Sequence, residues 1–337
     1  MRNTVFLALA LAMLVSLAAG AVRAADSAVV LSYRRFGDDR IPSVNTRLDQ
    51  LDAHIAELTT GGYAVLPLPL VVDAIQSGKA LPNKAVAITM DSAGASVWSS
   101  AWPRLKAANL PFTVFVVTDE TDRGGPDTMS WENLREMAAS GLVTMGSQGA
   151  SHPHMPALSA QAITDDMARA RARFEAELGK APDLFAWPYG EMSRDAAQAA
   201  RAAGFKAAFG QHSGSVWSKS DPFFLPRFAL NETYGEAERF RLAVRSTALP
   251  AVDITPDDPK LASNPPAFGF TLAIEVAGME HLACYTSHDG RAVIERLGPR
   301  IEVRMAKPLP PGRTRLNCTA PSLDGRWRWF GWQFFIQ

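Results

Sequence analysis

Asp91 closes the apolar run "AVAITMD" (85–91) and is followed by the small residues Ser92, Ala93 and Gly94. A carboxylate at the end of a buried strand can take a proton or hold a cation, since chemistry in α/β proteins gathers where parallel strands end. A second cluster lies in "MGSQGASHPHM" (145–155), which carries Gln148, His152 and His154. Imidazole is both a proton carrier and a metal ligand near neutral pH. A third stretch, "FAWPYG" (185–190), holds Trp187, Pro188, Tyr189 and Gly190, either a groove wall or a core aromatic followed by a turn. Arg34 and His212 follow two further apolar runs, "AVVLSY" and "KAAFG". Asp91 with His152 and either His154 or His212 is a set that could hold a metal. The competing reading makes "SHPHM" a loop with a surface histidine, and His212 a contact to solvent or ligand.

The elements that must position these residues are legible between Ala28 and Arg227. Strand candidates are 28–33, 63–68, 85–90, 112–117, 142–146, 184–187, 206–210 and 223–228. Most are continuously apolar, which suits strands buried on both faces of a parallel sheet. Helical patterns lie between them: 47–62, 130–141 from the N-cap Ser130, 159–180, and 193–205 from Ser193. The alternating acidic and arginine residues of the third suit a solvent-facing side, and His54 on the first is expected to be partly exposed. About eight strands with intervening helices predict a (β/α) barrel, complete or incomplete. Its mouth would gather Arg34, Asp91, Asp119, Gln148, His152, His154, Tyr189, Gln211 and His212.

Outside this region the texture changes. Residues 1–24 read as a signal peptide, with Arg2, an apolar run and the small residues Val22 and Ala24 before Ala25, or as an uncleaved anchor. No later segment is apolar and long enough to span a membrane once the signal is removed. The barrel is assigned to 25–245, a Pro/Asp-rich linker to 246–267, and a small antiparallel β domain to 268–337. His281 and His288 in that last domain read as structural or surface groups. Export makes Cys284 and Cys318 a candidate disulfide, the alternative being two buried thiols. In the stripe Trp327, Trp329, Phe330 and Trp332, burial in a sandwich core is favoured over sugar stacking. Lys+Arg and Asp+Glu each total 34, so the balance gives no sign of a nucleic-acid partner.

"ITMDS", "MGSQGASHPHM" and "FAWPYG", in this order, resemble the polysaccharide deacetylases of carbohydrate esterase family four, which share a nodulation-type homology domain. The nearest likeness is to the periplasmic branch acting on poly-N-acetylglucosamine. The resemblance covers about residues 28 to 230 and implies an α/β fold, a distorted (β/α) barrel of the polysaccharide deacetylase type. It implies zinc or another divalent metal held by one aspartate and two histidines, with a neighbouring aspartate as base. It places the base at Asp91 and a remaining ligand at His152. Ser92 and Gln148 stand where the other two ligands belong, and Arg34 stands where the branch tends to carry histidine. Trp187, Pro188, Tyr189 and Gly190 would line a sugar groove, Tyr189 binding through its backbone. A hydroxyl and a neutral amide are poor zinc ligands, and a permanent guanidinium charge repels a dication. The expectation is therefore a protein exported to the periplasm or beyond that binds an N-acetylated polysaccharide or exopolysaccharide, with weak or no hydrolysis and with Arg34 paired to Asp91. Two alternatives stand beside it: an active metal-dependent deacetylase with a rearranged site, and a module that docks a protein partner.

Overall fold

The computed structural model of the protein describes residues 26–337, so the signal peptide expected over 1–24 lies outside the described residues. Parallel strands Ser27–Tyr33, Ala85–Asp91, Phe112–Val116, Val143–Ser147, Leu184–Ala186 and Ala207–Phe209 lie side by side in that order. Their residues are almost all buried, as continuous apolar runs require when helices cover a curled sheet. The distorted barrel is thus present, curled into a half-barrel whose two edges are joined by irregular chain.

The seam between those edges is the feature that matters for the site. Ser215–Trp217 pairs antiparallel with the first strand, and Phe228–Ala229 pairs parallel with its other half. Leu225 meanwhile bridges Phe209 on the last strand. Residues 225–229 therefore span from the last strand to the first. The strand expected over 223–228 forms only at Phe228–Ala229, because residues that link two edges cannot ladder with both. The strand expected over 63–68 shrinks to Ala64–Val65, and Leu68–Ser77 is helical with proline in its first turn.

Helices Leu48–Thr60, Trp131–Ala139, Ala160–Leu178 and Arg194–Ala202 fall where the patterns predict. Ser130, Ser159 and Ser193 each accept a backbone N–H at the helix start. Two readings of helix faces need correction. His54 is buried, 3.0 Å from the Tyr33 hydroxyl and 2.7 Å from the Gly235 carbonyl, and is stacked on Phe240. Asp166, on the helix read as solvent-facing, is buried as well.

Two further sheets form the C-terminal sandwich. One runs Thr247–Ala248, Trp327–Ile336, Gly312–Pro321, Ala283–Thr286, Gly290–Arg291; the other runs Ala251–Thr255, Phe268–Leu272, Arg300–Arg304, Val293–Leu297. The span 246–267, expected as a linker, thus contributes Thr247–Ala248 and Ala251–Thr255 to these sheets. Cys284 and Cys318 face each other across paired strands and form a disulfide. Trp329 and Trp332 are buried while Trp327 is 41% exposed, so the stripe is chiefly core. Gly331 lies against the barrel loop at Ser213, where an added Cβ would collide with the Ser213 carbonyl. Glycine there lets the sandwich seat on the barrel. Among the described residues no helix is long and apolar enough to cross a membrane.

Candidate functional site

Asp91 ends its strand inside the barrel mouth, 3% exposed. Both its oxygens are occupied by Arg227, whose Nη1 donates to Oδ1 at 2.6 Å and whose Nη2 donates to Oδ2 at 2.9 Å. Gln211 Nε2 and the Ser32 hydroxyl add donors to Oδ2 at 3.1 and 3.3 Å. Arg227 is fully buried at the seam, and its remaining contacts are the Gly210 carbonyl at 2.9 Å, Thr89 Oγ1 at 3.0 Å and the Phe115 ring. The expected Arg34–Asp91 pair does not form, because the seam delivers a closer, fork-shaped partner. Arg34 makes no hydrogen bond or ion pair with the side chain of any other described residue.

Ser92 follows in the left-handed conformation, φ 61°. Its N–H donates to Gln148 Oε1 at 3.1 Å, and its hydroxyl lies 3.5 Å from the same oxygen. The two residues that stand in the expected ligand positions are therefore in contact, both buried. His152, with φ 56°, sits on a loop held from below by Asp166. That carboxylate accepts from Ala150 N at 2.8 Å, Ser151 N at 3.0 Å and the Ser151 hydroxyl at 2.6 Å. Burial, with the Arg34 charge adding to it, pushes the His152 imidazole down to about 4, so the ring is neutral at pH 7.

His154 is exposed, stacked on Tyr189 with centroids 4.2 Å apart, its Nδ1 2.7 Å from Glu191. Burial raises the Glu191 carboxyl, a shift that the imidazole opposes. In the "WPYG" loop only Tyr189 reaches the cavity in front of Asp91. Trp187 is fully buried, donating Nε1 to the Phe223 carbonyl at 2.8 Å, and Pro188 and Gly190 are buried too. The expectation that all four line a groove is corrected to the tyrosine alone. The Tyr189 carbonyl accepts from Arg313 at 2.9 Å and from Gln333 at 3.1 Å, so the sandwich covers the backbone expected to meet substrate.

His212 is removed from the site. It is 2% exposed between Phe224 and Trp332, and it lines a separate cavity of about 260 Å³ under the sandwich. Its ring is pushed down to about 3 by burial, and that of His54 to about 4 for the same reason. Both folded values lie below the ordinary 6.5. Stability from keeping them neutral is therefore complete above pH 6.5 and is lost as pH falls toward 3–4, since the unfolded chain then binds protons that the fold refuses. Each histidine should cost about 1.4 kcal/mol per pH unit within that window. Urea midpoints measured down the acid limb should show a steep loss, with a shallower slope in His212→Phe; an unchanged slope would contradict this.

The cavity before Asp91 measures about 350 Å³ and is lined by Ser92, Gln148, His152, Tyr189 and Gln211, with Arg34, Tyr234, Arg313 and Arg315 at its sides. Among the described residues no three His, Cys, Asp or Glu side chains gather as a ligand set. Asp91 is held by its guanidinium, and Ser92 and Gln148 offer only a hydroxyl and an amide oxygen, poor ligands for zinc. These residues do not fit a divalent ion. Sequence reading missed Arg227 and Asp166, whose only signal was a charge in an otherwise apolar or regularly charged run. It did place Arg34, Asp91, Ser92, Gln148, His152, Tyr189 and Gln211 in the neighbourhood they share.

Comparison with known proteins agrees with this architecture. Residues 78–208 match the family model described as polysaccharide deacetylase. The poly-beta-1,6-N-acetyl-D-glucosamine N-deacetylase of Staphylococcus aureus (strain MSSA476) is 23% identical over 207 residues, 57% of this chain and 70% of that protein. The enzyme of the same name from Escherichia coli (strain K12) is 26% identical over 217 residues, 52% of this chain and 32% of that protein. Among solved structures, IcaB from Ammonifex degensii aligns with a TM-score of 0.60 at 24% identity, covering 66% of this chain and 98% of that one. The Streptococcus pyogenes deacetylase PplD aligns with a TM-score of 0.59 at 19% identity, over 65% of this chain and 98% of that chain. The half-barrel that carries Asp91 and His152 thus contains, over residues 78–208, a match to the polysaccharide deacetylase domain and shares its fold with solved deacetylases.

Proposed function

We propose that this protein is an exported glycan-binding member of the family, with a degraded metal site and weak or no hydrolysis. The observation that carries the reading is the hydrogen bond between Ser92 and Gln148 at 3.1 Å. The amide oxygen in one ligand position is engaged by the Ser92 backbone N–H, and neither an amide oxygen nor a serine hydroxyl is a good zinc ligand at neutral pH. The Asp91–Arg227 fork supports it, because a base already holding two guanidinium protons is poorly placed to take one from water. The Asp91 position as base, His152 as remaining ligand and Tyr189 as groove residue belong to this proposal. So do the barrel at 25–245 and the β domain at 268–337. The names of the relatives support an N-acetylated polysaccharide such as poly-β-1,6-N-acetylglucosamine as the partner. The apolar leader over 1–24 supports a periplasmic or secreted location.

The test is a calorimetric zinc titration of the metal-stripped chain from Ala25, with acetate release and oligosaccharide binding measured on the same preparation. The expected result is no zinc binding up to millimolar concentration, no acetate release sensitive to EDTA, and saturable binding of N-acetylated oligosaccharide. Micromolar zinc affinity lost on His152→Ala, with EDTA-sensitive acetate release, would make it an active deacetylase with a rearranged site. Absence of glycan binding, together with a co-purifying periplasmic protein, would make it an interaction module.

A further inference from the structure

The cavity in front of Asp91 carries three guanidinium groups besides the buried Arg227: Arg34 from the end of the first strand, and Arg313 and Arg315 from the sandwich. Arg313 and Arg315 stand two apart on the strand Gly312–Pro321 and so share a face, while Thr314 between them is buried. The negative charge opposing these three is small. Asp91 is neutralised by Arg227 at 2.6 and 2.9 Å. Glu191 reaches Arg313 only at 3.7 Å, its nearer contact being His154 at 2.7 Å. Arg315 Nε meets a neutral amide, Gln333 Oε1, at 3.3 Å. Arg34 meets no carboxylate among the described residues. Burial, and then the neighbouring Arg313 charge, pull the Arg315 guanidinium down, which marks it as a cation held away from water without a counter-charge.

Guanidinium groups that converge on one cavity with little opposing charge are arranged for an anion, and planar forks match carboxylates in particular. Tyr234 lines the same cavity and is 49% exposed, an apolar face of the size a pyranose ring covers. The amine left on a polysaccharide after deacetylation would be a cation and would be repelled. We propose that the cavity binds an acidic saccharide: a carboxylate-bearing sugar unit of an N-acetylated glycan, with Arg34, Arg313 and Arg315 around the carboxylate and Tyr234 against the ring. The inference rests on the glycan-binding reading above and names the class of glycan.

Three hexasaccharides titrated calorimetrically into the full chain from Ala25 test it: neutral β-1,6-N-acetylglucosamine, its fully de-N-acetylated form, and hyaluronan, which alternates N-acetylglucosamine with glucuronate. Hyaluronan is expected to bind about tenfold or more tightly than the neutral oligomer, the cationic oligomer not at all, and the hyaluronan affinity should fall as salt is raised. Arg34→Ala and Arg315→Ala should each weaken hyaluronan binding about tenfold while leaving the neutral oligomer within about twofold. Arg34→Gln, which keeps a polar side chain without the charge, and Arg296→Ala, an exposed arginine outside the cavity, control for folding through their thermal melts. Equal affinity for neutral and acidic oligomers, or unchanged binding in the arginine variants, overturns the inference while leaving glycan binding intact. Binding of none of the three overturns both. Inorganic sulfate or phosphate competing with hyaluronan at equal affinity also overturns it, because the site would then take any small anion.

Discussion

Replacing Arg227 by methionine is expected to lower unfolding stability by about 3–5 kcal/mol, read as a drop in the urea midpoint at unchanged slope. Removing one partner of a buried ion pair leaves the other charged, desolvated and unpaired. Here it would also strip donors from the Gly210 carbonyl at 2.9 Å and from Thr89 Oγ1 at 3.0 Å. The two bonds to Asp91 tie the seam at residues 225–229 to the centre of the sheet, so the loss should be felt across the whole barrel. The double variant Arg227→Met/Asp91→Leu should recover most of it, because an apolar pair of similar volume avoids desolvating two charges. A single variant within about 0.5 kcal/mol of the parent would mean that the fork contributes nothing to the fold.

Converting Ser92→Asp and Gln148→His together is expected to raise zinc affinity by about a thousandfold or more, given that even an outer-shell partner is worth roughly 10–100-fold. The backbone does not resist this change. Ser92 has φ 61°, a left-handed conformation in which aspartate is among the better-tolerated residues. The exchange breaks the amide–serine contact at 3.1 Å and frees both positions for a metal. His152 is already neutral at pH 7, with its ring pushed down to about 4, so no proton competes with zinc there. The permanent charge of Arg34 opposes the gain, and adding Arg34→Ser should increase affinity further. Calorimetry on metal-stripped protein reads each step. If the double and triple variants bind no better than the parent, the two substitutions are not what keeps metal out, and the degraded-site reading loses its main support.

Overall charge balance and local charge give different messages in this chain. Equal totals of 34 basic and 34 acidic residues hide a cavity where three arginines face one carboxylate that is already paired. Long-range electrostatics follow where charges sit, and composition does not record position. The sandwich supplies two of those arginines and covers the Tyr189 carbonyl, which makes it part of the site rather than an appendage.

The sequence by itself determined most of the elements and part of the roster of the site. Continuous apolar runs named the barrel strands because a strand covered on both faces has no polar side to show. Serines opened three helices because their hydroxyls satisfy N–H groups that the helix cannot. Asp91, Gln148 and His152 could be picked out because strand ends are where side chains of different strands converge, and Ser92 through the family resemblance. What only the tertiary structure decided is partnership. Arg227 lies 136 positions from Asp91, and nothing local to either residue says that the seam will bring them together. The Ser92–Gln148 contact, the removal of His212 beneath the sandwich, the burial of Trp187 and the convergence of Arg313 and Arg315 with Arg34 have the same origin. Local pattern reflects each residue's own neighbours along the chain. Pairing depends on how edges close and domains seat, which is set by long-range packing that no short window of sequence contains.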